Sequence, residues 1–266
     1  MEQYLNKIIC GDCLEVMRGM PDKCVDLVVT SPPYDNIRDY KGYTFDFEGI
    51  AQQLTRILKD GGVIVWVVGD ATVNGSETGT SFRQALYFKD VCGLNLHDTM
   101  IYNKNACAFP ESNRYYQSFE YMFVFSNNFP RVVNLLKDRK NKYEGSGGVS
   151  SERQANGTLK KTKVTKCPKY GVRFNIWEIA QGYMKTTIDK EAYIHSAMFP
   201  EKLAKDHIIS WSDPGDIVLD PFSGSGTTAK MAKQTDRQFI GIELSPEYCK
   251  IAEKRLAKTY YNEELF

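Results

Sequence analysis

The sequence DPFSGSGTT at Asp220–Thr228 constrains the fold more than any other stretch of the chain. It follows an apolar run at Ile217–Leu219 that predicts a strand, and it opens a helical pattern over Thr227–Gln234. A second predicted strand, Phe239–Ile242, comes next. The glycines permit a tight turn and a close approach of backbone amides to a ligand. A strand, a glycine turn, a helix and a strand in this order predict a βαβ unit with parallel strands.

The ligand expected at this turn is a nucleoside. A P-loop would need a Lys after its last glycine to reach phosphates, and Gly226 is followed by Thr227. A dinucleotide fingerprint would need a third glycine at its usual distance, which this turn lacks. Glu243 ends the strand FIGIE, where a carboxylate can accept hydrogen bonds from ribose hydroxyls. Taken alone, Glu243 could instead be an N-cap or a solvated loop residue, as an acidic residue after a strand more often is.

Short apolar runs alternate with amphipathic stretches over the first 125 residues and again after His195. This alternation predicts an α/β fold, with a mostly parallel sheet and helices on both faces. Further predicted strands are Asn6–Cys10, Val25–Thr30, Val63–Val68, His97–Tyr102 and Tyr121–Phe125, and further predicted helices are Leu14–Gly19, Phe47–Leu58, Ser81–Val91, one that begins near His195, and Pro246–Leu256.

The middle of the chain breaks this pattern and carries a local excess of positive charge. Between Ser126 and Lys190 the residues are largely Gly, Ser, Asn and Lys, which predicts an insert at 129–190 between residues 1–128 and 191–266 of one domain. The formal net charge is only +1, yet Lys137–Arg173 holds eleven Lys or Arg residues against three acidic ones. Such a block favours an anionic partner, although a solvated loop has the same composition.

Polar residues follow several predicted strands directly. Asp12, Ser31, Asp220 and Glu243 each come at the carboxyl end of a strand, and Asp70 is a fifth case. Ligands of open α/β sheets bind at that edge. The coincidence predicts one shared site built from distant parts of the chain.

The element Ser31-Pro32-Pro33-Tyr34 suggests chemistry of its own. An exocyclic amino nitrogen is a poor nucleophile because its lone pair is delocalised into the ring. The Ser31 hydroxyl and the Pro32 carbonyl can accept hydrogen bonds from its protons, and the prolines fix the direction of that carbonyl. Tyr34 offers an aromatic face on which a base flipped from a duplex could stack. A plain proline turn after a strand is the alternative for the two prolines alone.

Other features narrow the setting of the protein. Seven cysteines without an export signal favour reduced thiols, and Cys10 with Cys13 lacks a second ligand pair, so no metal is expected. No apolar run approaches the roughly 20 residues needed to span a bilayer. We therefore expect a cytoplasmic protein with no membrane partner.

With these motifs, the chain resembles the amino-group DNA methyltransferases of bacterial restriction-modification systems, in the permuted order called the β class. TSPPY at Thr30–Tyr34 is similar to their catalytic motif, and DPFSGSGTT is similar to their S-adenosylmethionine loop. The catalytic motif precedes the cofactor loop, with the basic insert between them, as in that class. The segments IICGDCLEVM, HSAMFPEKLAKDHIISWSDPGDIVLDPF and FIGIELSPEYCKIAEKRL are also similar, so the resemblance covers nearly everything outside the insert.

The resemblance implies a Rossmann-like methyltransferase fold with a seven-stranded sheet, S-adenosyl-L-methionine as cofactor and target recognition by the insert. Residues 1–128 would form the catalytic half, and 191–266 the cofactor-binding half, of one methyltransferase domain. Asp12 would meet the adenine amino group of the cofactor, Glu243 its ribose, and His195 its methionine end.

The implied site residues form three groups. The cofactor group is Asp12, Thr30, Ser31, His195, Pro200, Asp220, Pro221, Phe222, Ser223, Gly224, Ser225, Gly226, Thr227, Glu243 and Leu244. The catalytic group is Ser31, Pro32, Pro33, Tyr34 and Asp70, and the DNA-binding group is Arg114, Tyr115, Lys137, Arg139, Lys140, Lys160, Lys161 and Lys163.

The residue before Pro-Pro-Tyr bears on the base. In the family a Ser there is usual for cytosine N4, whereas Asp or Asn is usual for adenine N6, so Ser31 favours cytosine. Methylation of cytosine carbon 5 would need a nucleophilic Cys, typically after Pro, and the order here is Cys167-Pro168. An adenine N6 enzyme, a non-catalytic DNA-binding protein on the same fold and an RNA methyltransferase are the alternatives. Partners implied are double-stranded DNA, a cognate restriction endonuclease and a second copy in a homodimer.

Overall fold

The computed structural model describes residues 1–33, 45–104, 112–164, 166–182, 184–194 and 200–259. Two candidate site residues, Tyr34 and His195, lie outside these ranges. The chain divides into two units, one formed by Met1–Asn134 with Asn175–Phe266 and the other by Leu135–Phe174. The second unit lies within the expected insert. No helix in the described part of the chain is long and apolar enough to cross a membrane.

The strands and helices follow one another in chain order. The strands are β1 (Lys7–Cys10), β2 (Val25–Thr30), β3 (Leu58–Val68), β4 (Thr72–Val73), β5 (Ser76–Glu77), β6 (Asn95–Asn103), β7 (Phe119–Ser126), β8 (Arg139–Lys140), β9 (Gly148–Arg153), β10 (Leu159–Val164), β11 (Tyr170–Gly171), β12 (Ile176–Glu178), β13 (Ile217–Asp220) and β14 (Gln238–Glu243). The α-helices are α1 (Cys13–Arg18), α2 (Phe47–Ile57), α3 (Thr80–Leu86), α4 (Glu201–Trp211), α5 (Thr227–Gln234) and α6 (Pro246–Ala257), with a π-helical turn at Tyr87–Val91 and a 3-10 helix at Lys190–Ile194.

Eight strands of the first unit form one sheet in the order β1-β14-β13-β2-β3-β7-β6-β12. The five strands from β1 to β3 in that order run parallel, β7 is antiparallel to both of its neighbours, and β12 is parallel to β6. The predicted α/β fold is confirmed, with one strand more than the seven expected. The additional strand, β12, falls inside the expected insert, and its three residues are too few to show a periodic pattern.

Burial explains why the central strands read as continuous apolar runs. Every residue of β2 is buried, and so are Val63–Val68 of β3, because helices cover both faces of a parallel sheet. Helix α2 turns Ile50 and Leu54 toward this core. Its first turn is capped by Asp46, whose side chain accepts a 3.0 Å hydrogen bond from the Gly49 amide.

The start of β3 differs from the sequence prediction, which ends the preceding helix at Leu58 and begins the strand at Val63. The structure begins the strand at Leu58 and continues it through Gly61, which has a φ of +73°. The Gly61 amide donates to the Asn127 carbonyl at 2.7 Å, so the partner strand's end holds this irregular turn. A side chain at Gly61 would come within 2.9 Å of the Arg131 Cβ. The glycine therefore bends the strand instead of ending it.

The strand order reverses at the neighbouring strands β2 and β13, because the connections that leave them lead to opposite sides of the sheet. From β2 the chain passes through α2 to β3 on one side, and from β13 it passes through α5 to β14 on the other. The two strands are paired, with Leu27 opposite Val218 and Val28 opposite Leu219. A switch point of this kind opens a crevice at the carboxyl ends of the strands, where ligands bind.

The second unit contains two antiparallel ribbons, β8 with β11 and β9 with β10. In the first ribbon Arg139 donates a 2.9 Å hydrogen bond to the Val172 carbonyl, and its guanidinium lies 4.5 Å from the centre of the Phe174 ring. Arg173 forms an ion pair with Asp138. These contacts hold the ends of the unit together.

Candidate active site

The serine-proline turn and the glycine-rich turn meet at one edge of the sheet. The Thr30 hydroxyl donates a 2.7 Å hydrogen bond to Oδ1 of Asp220, although the two residues are 190 positions apart in the chain. The Thr228 hydroxyl donates to the Val29 carbonyl at 3.2 Å, which ties the start of α5 to β2. Ser31 follows Thr30 directly, so the turn expected to bind a base begins beside the turn expected to bind a cofactor.

Asp220 is buried beneath this junction. Its Oδ1 also accepts a 3.1 Å hydrogen bond from the Phe222 amide, which shapes the first part of the glycine-rich turn. Burial raises the pKa of Asp220 to about 6, against the lowering effect of hydrogen bonds from Thr30, Phe222 and Thr228. The nearby charge of Glu243 raises this pKa further. Asp220 is thus an anchor of the turn, held at some electrostatic cost.

Glu243 fastens the same turn from the neighbouring strand. Its Oε2 accepts a 2.8 Å hydrogen bond from the Gly224 amide, and its Oε1 accepts one of 2.8 Å from the Ser245 amide. Burial raises the pKa of Glu243, although hydrogen bonds from the backbone at Ser245, Gly224 and Leu244 oppose that effect. The carboxylate therefore faces the glycine-rich turn at the end of β14.

Close helix packing explains the last glycine of the turn. Gly226 has a φ of +78° and precedes α5 directly. A Cβ at Gly226 would lie 2.7 Å from the Cβ of Ala252 on α6. Only glycine suits both the left-handed backbone and this approach of the two helices.

Aromatic packing anchors the turn to the core. The Phe222 ring lies 6.3 Å from the Trp66 ring and 5.7 Å from the Phe45 ring, centre to centre. Trp66 is fully buried and donates a 2.8 Å hydrogen bond to the Gln84 side chain. Phe222 therefore links the glycine-rich turn to β3 and α3.

Two carboxylates at this edge accept hydrogen bonds from the first turn of a helix. Asp12 is the N-cap of α1 and accepts a 3.0 Å hydrogen bond from the Glu15 amide. Asp70 accepts from the Ser81 amide at 2.9 Å and from the Ser81 hydroxyl at 2.5 Å. The Thr78 hydroxyl adds a 3.3 Å bond to Asp70, which fixes the connection from β3 to α3. The contacts of Asp70 are those of an anchor, and its predicted part in catalysis stays a prediction.

The remaining predicted site residues lie in the two turns, directly after β14, or at the start of α4. Pro32 is buried, while Ser31 and Pro33 are half-buried. Pro200 is buried at the N-cap position of α4, and Leu244 is exposed after β14. Pro221, Ser223, Ser225 and Thr227 belong to the glycine-rich turn itself.

Sequence reasoning missed a buried ionic cluster against this turn. Lys230 of α5 donates hydrogen bonds of 2.8 Å to both Asp189 and Glu201. Arg255 of α6 donates to the same two carboxylates, at 2.9 Å and 2.7 Å. Burial alone would raise the pKa of Asp189, but the hydrogen bonds from Arg255 and Lys230 outweigh it and leave that pKa below its ordinary value.

This cluster reaches the glycine-rich turn through Arg255. Its Nη1 donates to the Ser225 carbonyl at 2.6 Å and to the Ser225 hydroxyl at 3.0 Å. Arg255 is fully buried, and a charged residue at a buried helix position is the only signal of the cluster that the sequence contains. Arg255 therefore connects the turn to the segment before His195 and to α4.

The candidate DNA-binding residues are divided between the two units. In the first unit Arg114 donates to the Gly75 carbonyl at 3.0 Å and to the Thr72 hydroxyl at 3.3 Å, and Tyr115 is fully exposed. The others lie in the second unit, where Lys137, Lys140, Lys160 and Lys161 are exposed. Lys163 is in β10, and Arg139 makes the contacts given above. The structure thus places a basic surface on the insert.

The fold is that of a known class of protein, the DNA methyltransferases with a Rossmann-like sheet. The sheet resembles that of PvuII DNA methyltransferase, which is cytosine-N4-specific, with a TM-score of 0.68, 20% identity, and coverage of 99% of this chain and 91% of that one. M1.HpyAVI in complex with S-adenosylmethionine gives a TM-score of 0.63 at 21% identity, over 94% of this chain and 99% of that one. At such identities the likeness concerns the fold.

The chain belongs to the DNA methylase family that comprises the N6 and N4 enzymes, because the family model matches residues 25–254. It is 59% identical to the orphan methyltransferase M.BamHII of Bacillus amyloliquefaciens, over 88% of this chain and 89% of that protein. It is 30% identical to the type II methyltransferase M.SmaI of Serratia marcescens, over 95% and 91% of the two chains. The resemblance stated from the motifs is confirmed, and the protein is a site-specific amino-DNA methyltransferase that uses S-adenosylmethionine.

Proposed function

We propose that the amino group methylated by this enzyme is N4 of cytosine, in a short double-stranded DNA sequence. The observation that carries the proposal is the serine at position 31, which directly follows Thr30, the residue bonded to Asp220 of the glycine-rich turn. A serine before Pro-Pro-Tyr resembles the cytosine-N4 members of the family. The fold likeness to a cytosine-N4-specific enzyme is compatible with this assignment.

The cofactor would lie along the edge formed by β1, β14 and β13. S-adenosylmethionine supplies an electrophilic methyl group when bound. The residues at this edge suit a nucleoside. Asp12 and Glu243 lie at the carboxyl ends of the paired strands β1 and β14, and the exposed Leu244 offers an apolar surface next to them. Glu243 would accept hydrogen bonds from the ribose and Asp12 from the adenine amino group, while Phe222 would border the methionine portion.

The serine-proline turn would prepare the amino nitrogen for attack. The Ser31 hydroxyl and the Pro32 carbonyl would accept hydrogen bonds from the two N–H groups and draw the nitrogen lone pair out of conjugation. As the methyl group passes from sulfur to this nitrogen, the Ser31 and Pro32 acceptors would guide one N–H proton to water. The base would reach this turn by flipping from the duplex, with Tyr34 as its stacking partner.

The insert at residues 129–190 would recognise the target sequence. Its basic residues would hold phosphates, since such contacts supply most of the affinity for DNA, and other side chains would read base edges. The contacts of Arg139 within the second unit suggest a structural role for that residue, which leaves the exposed lysines as the better candidates.

Transfer of a labelled methyl group tests the assignment of the base. The protein would be incubated with S-adenosylmethionine carrying a tritiated methyl group and with duplex DNA, and the product digested to nucleosides. We expect the label in N4-methylcytosine. Label in N6-methyladenine would overturn the choice of base while leaving the family unchanged, and unlabelled DNA would indicate a protein that binds without transfer.

Ser31→Ala tests the role of the hydroxyl. We expect kcat to fall by about 10²-fold, as when one preorganised hydrogen-bonding group is removed from an active site, while the Kd for S-adenosylmethionine stays within threefold. Ser76→Ala, at an exposed serine of β5, is the matched control and should keep full activity. Full activity of Ser31→Ala would refute the proposed role.

A further inference from the structure

The hairpin of β9 and β10 is the most regular element of the second unit. Its strands pair at six positions, from Gly148 opposite Val164 to Arg153 opposite Leu159. The tip is closed by backbone hydrogen bonds of 2.8 Å, one from the Gln154 amide to the Thr158 carbonyl. The hairpin, defined by residues 148–164, is therefore a formed ribbon with a structured tip.

Side chains on both faces of this ribbon are exposed to solvent at the positions whose burial the structure describes. All six residues of β9 are exposed, and so are Leu159, Lys160 and Lys161 of β10. Val149 and Leu159 are 68% and 62% exposed. A two-stranded ribbon by itself is at best marginally stable in water. Such an element gains stability when a partner covers one of its faces.

The two faces of the ribbon differ in charge. Side chains alternate between faces along a strand, and paired residues share a face. One face carries Arg153 with its partner Leu159, and Lys161 with its partner Ser151. On the opposite face Lys160 pairs with Glu152, and their charges cancel. The face with Arg153 and Lys161 is therefore the positive one.

The size and charge of the positive face suit the major groove of DNA. Six residues per strand give a ribbon about 20 Å long, at about 3.3 Å per residue. The major groove is about 12 Å wide and admits a two-stranded ribbon, whereas the minor groove is about half that width. Arginine and lysine pair with the acceptor atoms O6 and N7 of guanine, and serine contacts several bases. Both the groove edge of guanine and the phosphates beside it attract this face.

We propose that the β9–β10 ribbon enters the major groove of the target duplex with Ser151, Arg153 and Lys161 toward the base edges. The proposal rests on the proposed function only in taking DNA as the partner. Arg153 would be the main specificity-determining residue, because its planar group can bond bidentately to guanine. Lys160, on the opposite face, would point away from the bases.

Adjacent residues on opposite faces provide a matched experiment. Arg153→Ala, Arg153→Lys and Lys161→Ala would be compared with Lys160→Ala, which removes the same charge one position from Lys161. The recognition sequence would first be mapped with the wild-type protein by sequencing methylated DNA. The readouts are kcat/KM on a duplex with that site, the Kd for a scrambled duplex, the Kd for S-adenosylmethionine and the melting temperature.

We expect Arg153→Ala and Arg153→Lys to lower kcat/KM on the mapped site by about tenfold or more, because a bidentate base contact is lost. Lys161→Ala should lower it by a smaller factor. Lys160→Ala should weaken binding to the mapped and the scrambled duplex by the same factor, because a contact to phosphate carries no sequence information, and all four variants should keep the wild-type Kd for S-adenosylmethionine. Equal effects of Lys160→Ala and Lys161→Ala on the preference for the mapped over the scrambled duplex, or no effect of Arg153→Lys, would overturn the assignment of the faces.

A footprint separates this proposal from the proposed function, since it does not depend on methyl transfer. Dimethyl sulfate modifies guanine N7 in the major groove. We expect the wild-type protein to protect guanines within its site and Arg153→Ala to lose that protection, whatever base the enzyme methylates. If the ribbon instead docks a protein, the footprint and the methylation rate would be unchanged in all four variants, and the proposal would be wrong.

Discussion

Thr30 and Asp220 are joined by a 2.7 Å hydrogen bond across 190 positions of the chain. Thr30 precedes the serine-proline turn, and Asp220 opens the glycine-rich turn. The bond therefore couples the residues expected to bind the base with those expected to bind the cofactor. Because the pairing of β2 with β13 sets this contact, the chemistry does not depend on which turn comes first in the sequence.

Removing the Thr30 hydroxyl should weaken the fold at this junction. Thr30→Val keeps the shape of the side chain but leaves Asp220 with one donor fewer in a buried position, so we expect a loss of about 1–3 kcal/mol in the free energy of unfolding. Urea denaturation near pH 7.5 measures it. Thr30→Ser keeps the hydroxyl and should recover most of the loss, and equal losses in the two variants would show that the methyl group, not the hydrogen bond, matters.

The raised pKa of Asp220 predicts a specific pH dependence of stability. Burial raises that pKa from 3.8 to about 6, so the folded protein holds a proton that the unfolded chain has lost between those values. Stability from this group is present below about pH 4, falls as the pH rises, and is fully lost above about pH 6, a change of about 3 kcal/mol.

Asp220→Asn isolates this contribution from those of other carboxyl groups. The amide oxygen can accept the bonds from Thr30 and from the Phe222 amide, and it does not titrate. We expect the free energy of unfolding of the wild type, minus that of Asp220→Asn, to decrease between pH 4 and pH 6.5. Above pH 6.5 this difference should stay constant. A difference that stays constant between pH 4 and pH 6.5 would contradict the raised pKa.

The ionic cluster predicts that a substitution at Arg255 lowers stability much more than one at its neighbour Lys254. Arg255→Ala leaves Asp189 and Glu201 sharing only Lys230, and it removes the donor to Ser225, so we expect a loss of about 3–5 kcal/mol in stability. Lys254→Ala, at an exposed position of the same helix, should change stability by less than about 0.5 kcal/mol. Chemical denaturation measures the free energy of unfolding of the two variants. Similar losses in both would show that the cluster adds no stability of its own.

Local sequence patterns predict the elements whose burial is regular. β2 and α5 have the predicted bounds, Val25–Thr30 and Thr227–Gln234, because a fully buried β-branched run ends at prolines and a glycine turn opens the helix. The meeting of the two turns also follows from the sequence, since parallel strands bring their carboxyl ends to one edge. The bounds of β2 and α5 rest on short-range rules, whereas the meeting of the turns rests on the general geometry of parallel sheets.

Features that depend on distant partners escape such patterns. The position of Arg255 on the buried side of α6 can be read locally, but its pairing with Asp189 and Glu201 depends on how three segments pack. Strand β9 shows no alternation of polar and apolar residues, since all six of its residues are exposed. Hydrophobic periodicity records burial, so it is silent where an element is fully exposed.

Glu243 offers the sharpest test of the cofactor site. Its two carboxylate oxygens accept from the Gly224 and Ser245 amides, and Glu243→Gln would turn an amide N–H₂ toward one of these donors. If the carboxylate also accepts hydrogen bonds from the ribose, the Kd for S-adenosylhomocysteine should rise by about 10- to 100-fold, as expected for hydrogen bonds to a charged group. Isothermal titration calorimetry measures it, with Glu247→Gln, exposed on the first turn of α6, as the matched control that should keep the wild-type Kd. An unchanged Kd in Glu243→Gln would exclude a ribose contact at this carboxylate.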